Sequence, residues 1–218
     1  MCGAGGTKKG LDQVIKRTLE APWDEGQVFV ANNNIRPTAR IPAVRLTADG
    51  RIAGNHIWGF LPPNAPDKRF ISEWSTFNAR DDRIAKSKLY SQPFRERRSL
   101  VVLSVWYEWP KQPGEKKGTA CRVKPAQGEC FVFAGVWGPW KDPDTQAACD
   151  TTTLITTEPN AVIADLPHHR MPAILPPSAW DAWLHPDTPV SVLQDMLHPS
   201  PDEWLEIVPG GPAHFSVE

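Results

Sequence analysis

Three residues spread along the chain carry groups suited to nucleophilic attack and proton transfer, Cys2, Glu108 and His168, and a fourth, Asn78, can orient a polar intermediate. The opening Met1-Cys2-Gly3 bears the most chemical information. Cys2 is small enough for Met1 to be removed by an aminopeptidase or by the chain itself. An exposed N-terminal cysteine then holds two nucleophiles on adjacent carbons, an α-amine with a reference pKa of about 7.7–8.0 and a thiol of about 8.5. The amine can attack an aldehyde to form an imine, and the thiol can close onto the imine carbon to give a five-membered thiazolidine. An internal cysteine cannot do this, because its nitrogen is an amide. Taken alone, a cysteine at position 2 reads as incidental, so the case needs the rest of the chain.

Glu108 stands between Tyr107 and Trp109 at the end of an apolar stretch. Poor solvation there would raise its pKa and suit it to proton transfer, whereas a water-exposed strand end would leave it an ordinary carboxylate. His168 begins His168-His169-Arg170-Met171-Pro172 and can donate or accept a proton near neutral pH. Adjacent histidines on an extended segment point to opposite sides and make a poor metal pair, and the other histidines lack ligand spacing. Neither metal nor cofactor is expected, and His169 reads as a solvent-facing or supporting residue. In Asn78-Ala79-Arg80, the asparagine can orient a polar intermediate and the arginine can grip a phosphate. Arg95-Glu96-Arg97-Arg98 either lends positive charge to a groove or lies on a solvated helix end.

These residues need elements to hold them. Leu11, Val14, Ile15 and Leu19 mark one helical face within Lys8–Leu19. Ala43–Leu46 and Ile52–Phe60 flank Thr47-Ala48-Asp49-Gly50, a hairpin signal. Asp81–Leu89 reads as a short helix, Leu100–Trp106 as one buried strand, and Thr119–Val123 with Cys130–Trp137 as two strands joined through 124–128. Thr151–Thr157 reads as a strand, Ser178–Leu184 and Val190–Leu197 as short helices, and Trp204–Val208 as a last strand. The 23 prolines and 15 glycines are scattered, so they punctuate short elements instead of marking a linker. The expected class is α+β: a single domain over 1–218, with a mostly antiparallel, barrel-like β-sheet and short flanking helices.

Length and composition fit this class. With 218 residues, 40% hydrophobic and 22% charged, the chain has globular composition. No apolar run is long enough for a membrane helix, and no secretory pattern opens the chain. A soluble cytoplasmic protein is expected, nucleoid-associated in a bacterium. Cys2, Cys121, Cys130 and Cys149 then read as reduced thiols. Net charge of −1 does not by itself announce nucleic acid, while ten tryptophans suggest that some face a ligand or stacked bases as well as the core.

The motifs also occur in a meaningful order: Met1-Cys2-Gly3, Arg36-Pro37-Thr38, Trp58-Gly59-Phe60-Leu61-Pro62, Phe77-Asn78-Ala79-Arg80, Arg97-Arg98-Ser99-Leu100, Trp106-Tyr107-Glu108-Trp109, Phe133-Ala134-Gly135-Val136-Trp137, Thr156-Thr157 and His168-His169-Arg170-Met171-Pro172. This set resembles the SOS response-associated peptidase (SRAP) family, from residue 2 to about residue 175 and more loosely beyond. The resemblance implies a DNA-damage protein that shields abasic sites in single-stranded DNA through a thiazolidine cross-link. It implies Cys2 as nucleophile, Asn78 holding the adduct or opened sugar, Glu108 moving protons and aiding Met1 removal, and His168 serving the sugar oxygen. Arg80 would meet phosphate and Trp58 the flanking bases, with Arg97 and Arg98 further DNA-binding candidates. Self-processing peptidase activity is implied, with abasic-site lyase chemistry open and a monomer expected. The chain departs from the family pattern at Ala4, where arginine is common, at Asp81-Asp82, at Val105 and around Ile35-Arg36. Two other readings share these residues: a peptidase or amidohydrolase using Cys2 on another substrate, and a non-covalent single-strand binding module indifferent to Cys2.

Overall fold

The expected apolar face near the N-terminus folds as a helix because Leu11, Val14 and Ile15 can all be buried on one side. In a computed structural model, residues 3–111, 114, 116, 118–166 and 169–218 are described. Along the chain run β1 (Gly5–Thr7), α1 (Leu11–Thr18), β2 (Asn32–Ile35), β3 (Arg40–Thr47), β4 (Gly50–Trp58), α2 (Arg69–Glu73), β5 (Asn78–Arg80), α3 (Asp81–Ile84) and α4 (Ser91–Glu96). There follow β6 (Arg98–Leu103), β7 (Val105–Glu108), β8 (Cys121–Pro125), β9 (Phe131–Lys141), β10 (Ala148–Thr157), α5 (Ala161–Ala164), β11 (Met171–Pro172), α6 (Trp180–Leu184), α7 (Val190–Asp195) and β12 (Leu205–Pro209).

The β3–β4 hairpin closes where the Asp-Gly signal stands, with Thr47 opposite Gly50 and Gly50 at φ 115°, a conformation that favours glycine. From this hairpin a ring of strands builds: β6 pairs β3, β9 pairs β6, β10 pairs β9, and β10 returns to β4. All these pairings are antiparallel except β10–β4. The sheet thus closes on itself, and β5 and β11 hang from β10. A second, antiparallel sheet has the order β12-β8-β7-β1-β2.

Every residue of β6 is buried, and its alternating side chains feed two cores. Leu100 and Val102 join Leu11, Ile15, Trp183 and Leu193 under the helices. Val101 and Leu103 join Ile35, Trp106, Val123 and Leu205 between ring and second sheet. The α+β, mostly antiparallel barrel architecture is therefore as expected.

Three local expectations differ. Leu100–Trp106 is not one strand: Ser104 interrupts it, its N–H bonded to the Gly6 carbonyl at 2.9 Å and its hydroxyl accepting from Lys8 N at 3.1 Å. That break passes the chain from the ring into the second sheet. The strands around 119–137 do not form a hairpin, because β8 pairs β7 and β12 whereas β9 pairs β6 and β10. The helix after Asp81 lasts one turn, and the Ser87 hydroxyl then takes the N–H groups of Leu89 and Tyr90. Cys121, Cys130 and Cys149 are free thiols, and no described helix is long and apolar enough to cross a membrane.

Candidate active site

Strand β1 brings the start of the chain to the strand that carries Glu108. Gly5 lies opposite Trp106, Gly6 opposite Val105, and the Ala4 carbonyl accepts from Tyr107 N at 3.0 Å. The same register carried back places Gly3 beside Glu108. The approach is close: a methyl on Gly5 would come within 2.5 Å of the Leu103 side chain. Cys2 lies outside the described residues, as does His168.

Glu108 is 3% exposed, and burial pushes its pKa up to about 7, partly offset by the neighbouring Trp106 indole. Across the sheet it faces Cys121, whose thiol is pushed up by burial and by the negative charge of Glu108. The carboxyl is thus divided between its two protonation states near neutrality, as a group that both takes and returns a proton requires.

Asn78 opens β5 and is half-buried, aligned with Leu154 of β10. The residue before it is pinned by Trp58, whose indole N–H donates to the Phe77 carbonyl at 3.0 Å. On the other side of β10, Arg170 donates to the Thr156 carbonyl and to Asp81, and reaches the Thr156 hydroxyl at 3.4 Å. Thr156 in turn donates to the Ala79 carbonyl at 3.3 Å. This network ties the segment after His168 to β5. Phe77, Trp106 and Met171 pack into one apolar cluster, so the elements bearing Asn78, Glu108 and Arg170 converge around it. His169 is exposed, and no group of metal-ligating side chains occurs among the described residues.

The DNA-facing assignments divide. Arg80 is exposed and forms a two-pronged pair with Asp82 at 2.9 and 2.8 Å. Arg97 is half-buried and reaches Glu96 at 3.2 Å. Two assignments are corrected. Trp58 is 0% exposed within the core, so no base can stack on it. Arg98 is also buried, its guanidinium bonded to the carbonyls of Trp183, Phe94, Arg95 and His185; it joins the ends of α4 and α6 and is not offered to a phosphate. Ala4, where the family pattern has arginine, is buried as well.

Sequence reasoning missed Trp74. It is 69% exposed and stacks on Phe70 with ring centroids 5.9 Å apart. It borders a pocket of about 410 Å³ that also includes Asn78, Arg80, Arg83 and Tyr90. Its polar sequence neighbours, Glu73 and Ser75-Thr76, are the signal that could have set it apart from the core tryptophans. Arg36, exposed and lying over the Trp109 ring at 4.8 Å, is another cation beside the Glu108 strand.

The family description "SOS response associated peptidase (SRAP)" matches residues 1–212. The chain belongs to the SRAP family. Among SRAP relatives, the abasic site processing protein YoqW of Bacillus subtilis is 28% identical over 94% of this chain and 90% of its own length. The abasic site processing protein YMR114C of Saccharomyces cerevisiae is 30% identical over 85% of this chain, which spans 50% of that longer protein. A crystal structure of a protein from Bordetella bronchiseptica superposes with a TM-score of 0.78 over 96% of this chain and 99% of its own, at 21% identity, which speaks to the SRAP fold alone.

Proposed function

We propose that this chain recognises abasic sites in single-stranded DNA and captures them covalently through Cys2 once Met1 is removed. The observation that carries the reading is a buried carboxyl near pKa 7, Glu108, on the strand that pairs with β1 at the start of the chain. Relatives named for abasic site processing support the substrate class.

The ring-opened abasic sugar presents an aldehyde. The α-amine of Cys2 attacks its carbon, the carbonyl oxygen leaves as water, and an imine results. The thiol sulfur then bonds to that carbon while its proton ends on nitrogen, closing the thiazolidine. Glu108 accepts the proton lost by the ammonium and returns one to the departing oxygen. Asn78 holds the opened sugar, and His168 takes the role at the sugar oxygen that the family resemblance implies. Removal of Met1 is hydrolysis of its peptide bond to Cys2, with Glu108 assisting the amine that leaves. Trp74 replaces Trp58 as the stacking surface, since any base offers it a π-face. Arg80 and Arg83 meet phosphates at the same pocket.

Intact mass spectrometry tests the reading. The expected result is loss of Met1 and a mass gain with an abasic oligonucleotide, stable in the wild type and lost in Cys2→Ser, because oxygen does not close the stable sulfur ring. Retained methionine, an equal adduct in Cys2→Ser, or turnover of a peptide or amide without an adduct would reject it.

A further inference from the structure

The chain beyond β12 crosses the whole outer face of the second sheet. Gly210 N donates to the Ala120 carbonyl at 3.0 Å, and the positive φ of Gly210 turns the chain back over β8, where Arg122 donates to the His214 carbonyl. Phe215 packs edge-on against Tyr107 of β7, with ring centroids 6.5 Å apart. At β1 the fit is tighter: a methyl on Gly6 would lie 3.0 Å from the Phe215 ring. Lys9 N then donates to the Val217 carbonyl at 2.6 Å, Lys9 Nζ pairs with Glu218, and Asn33 of β2 donates to the Pro212 carbonyl at 3.2 Å. Ala4, Val105, Tyr107 and Phe215 form a small apolar cluster of their own.

Strand β1 needs such a clasp. It is three residues long, and two of them are glycines, which lose more conformational freedom on ordering than any other residue. Terminal segments stay ordered when tied down by neighbours. The side chains of Trp106 and Glu108 point to the inner face, and those of Val105 and Tyr107 point to the strap.

We infer that the 210–218 segment is a positioning strap, with Phe215 its key residue, that holds β1 in register with β7 and so sets the reactive start of the chain against Glu108. Phe215 touches no reacting atom; it acts through Gly6 and Tyr107. The catalytic part of this inference rests on the proposed function, whereas the strap's hold on β1 does not.

The experiment uses the full chain with Phe215→Ala and Phe215→Leu. Amide hydrogen exchange is followed in residues 3–8 and in the β3–β4 hairpin, alongside the rate of adduct formation with an abasic oligonucleotide. In Phe215→Ala, exchange in residues 3–8 is expected to accelerate while the hairpin stays protected. Adduct formation should slow by about ten- to a hundredfold, the scale on which ångström misplacement acts. Phe215→Leu, which refills most of the contact, should restore most of the rate. Unchanged exchange in residues 3–8, or equal acceleration in the hairpin, overturns the inference, as does a normal adduct rate with a loosened β1. If β1 loosens as expected but even the wild type forms no adduct, the proposed function falls and the strap's hold on β1 stands.

Discussion

Glu108 illustrates how burial alone can make a reactive group. Its carboxyl is buried, and its folded pKa of about 7 stands above the ordinary value of 4.5. The folded state therefore favours the protonated form. The contribution of Glu108 to stability is greatest below about pH 4.5, falls as the unfolded chain ionises first, and levels off above pH 7. The loss is on the order of 3 kcal/mol, at about 1.4 kcal/mol per pKa unit. Buried His56, whose pKa is lowered to about 3, pulls the other way between pH 3 and 6.5, so denaturant titrations from pH 4 to 8 should show the decline as a difference between the wild type and Glu108→Gln. The same substitution should remove an inflection near pH 7 from the rate of adduct formation and slow the reaction. The two tryptophans make a complementary pair. Trp74→Ala should leave the melting temperature unchanged and weaken single-strand binding by about 1–3 kcal/mol. Trp58→Ala should instead destabilise the fold by about 3–5 kcal/mol. Calorimetry and binding isotherms on both variants distinguish the roles. The sequence shows two tryptophans near a motif; which one is in the core depends on the Phe77 carbonyl that accepts the Trp58 indole, a contact no spacing reveals.

At the level of elements, the junctions carry most of the information. Helix α3 begins with Asp81-Asp82, and each carboxylate engages an arginine: Asp81 with Arg170, Asp82 with Arg80. The Asp82 pair is exposed and weakly stabilising, so it competes with an incoming phosphate without adding much to the fold. Asp82→Ala should strengthen non-covalent binding of single-stranded DNA severalfold with little change in stability, as titrations at fixed salt would show. Arg98 belongs to the opposite kind of junction, bonded to carbonyls at the ends of α4 and α6. Arg98→Ala leaves those carbonyls without their donor, and a loss of about 1–3 kcal/mol for each one left buried and unpaired is expected from unfolding curves. A run such as Arg95–Arg98 could not disclose this, because its partners at Trp183 and His185 are distant in sequence. The β3–β4 hairpin and α1 were legible because period and turn chemistry are local. The separation of β8 from β9 was not, because each strand is claimed by partners far along the chain.

For the whole molecule, a net charge of −1 leaves no global attraction for a polyanion. Binding must come from the few cations near the site, Arg36, Arg80 and Arg83. The slope of log affinity against log salt should therefore be shallow but negative, at about −0.7 per phosphate neutralised on a single strand. Binding measured from low to high salt checks this, and no slope would remove phosphate contact from the reading. The family's identity was legible from the order of the motifs along the chain. The arrangement that unites them was not, because Asn78 hangs from the closed ring while Glu108 belongs to the separate second sheet.

That second sheet has a consequence for how the protein comes into being. Strand β1 is sandwiched between β2, which follows closely, and β7, about a hundred residues further on, a long-range pairing of the kind that slows folding. While the ribosome is still at work on the middle of the chain, the leading glycines have one flank uncovered and Glu108 does not yet exist. In the proposed function, the carboxyl-assisted centre is therefore complete only once β7 has emerged and paired with β1, past the midpoint of synthesis.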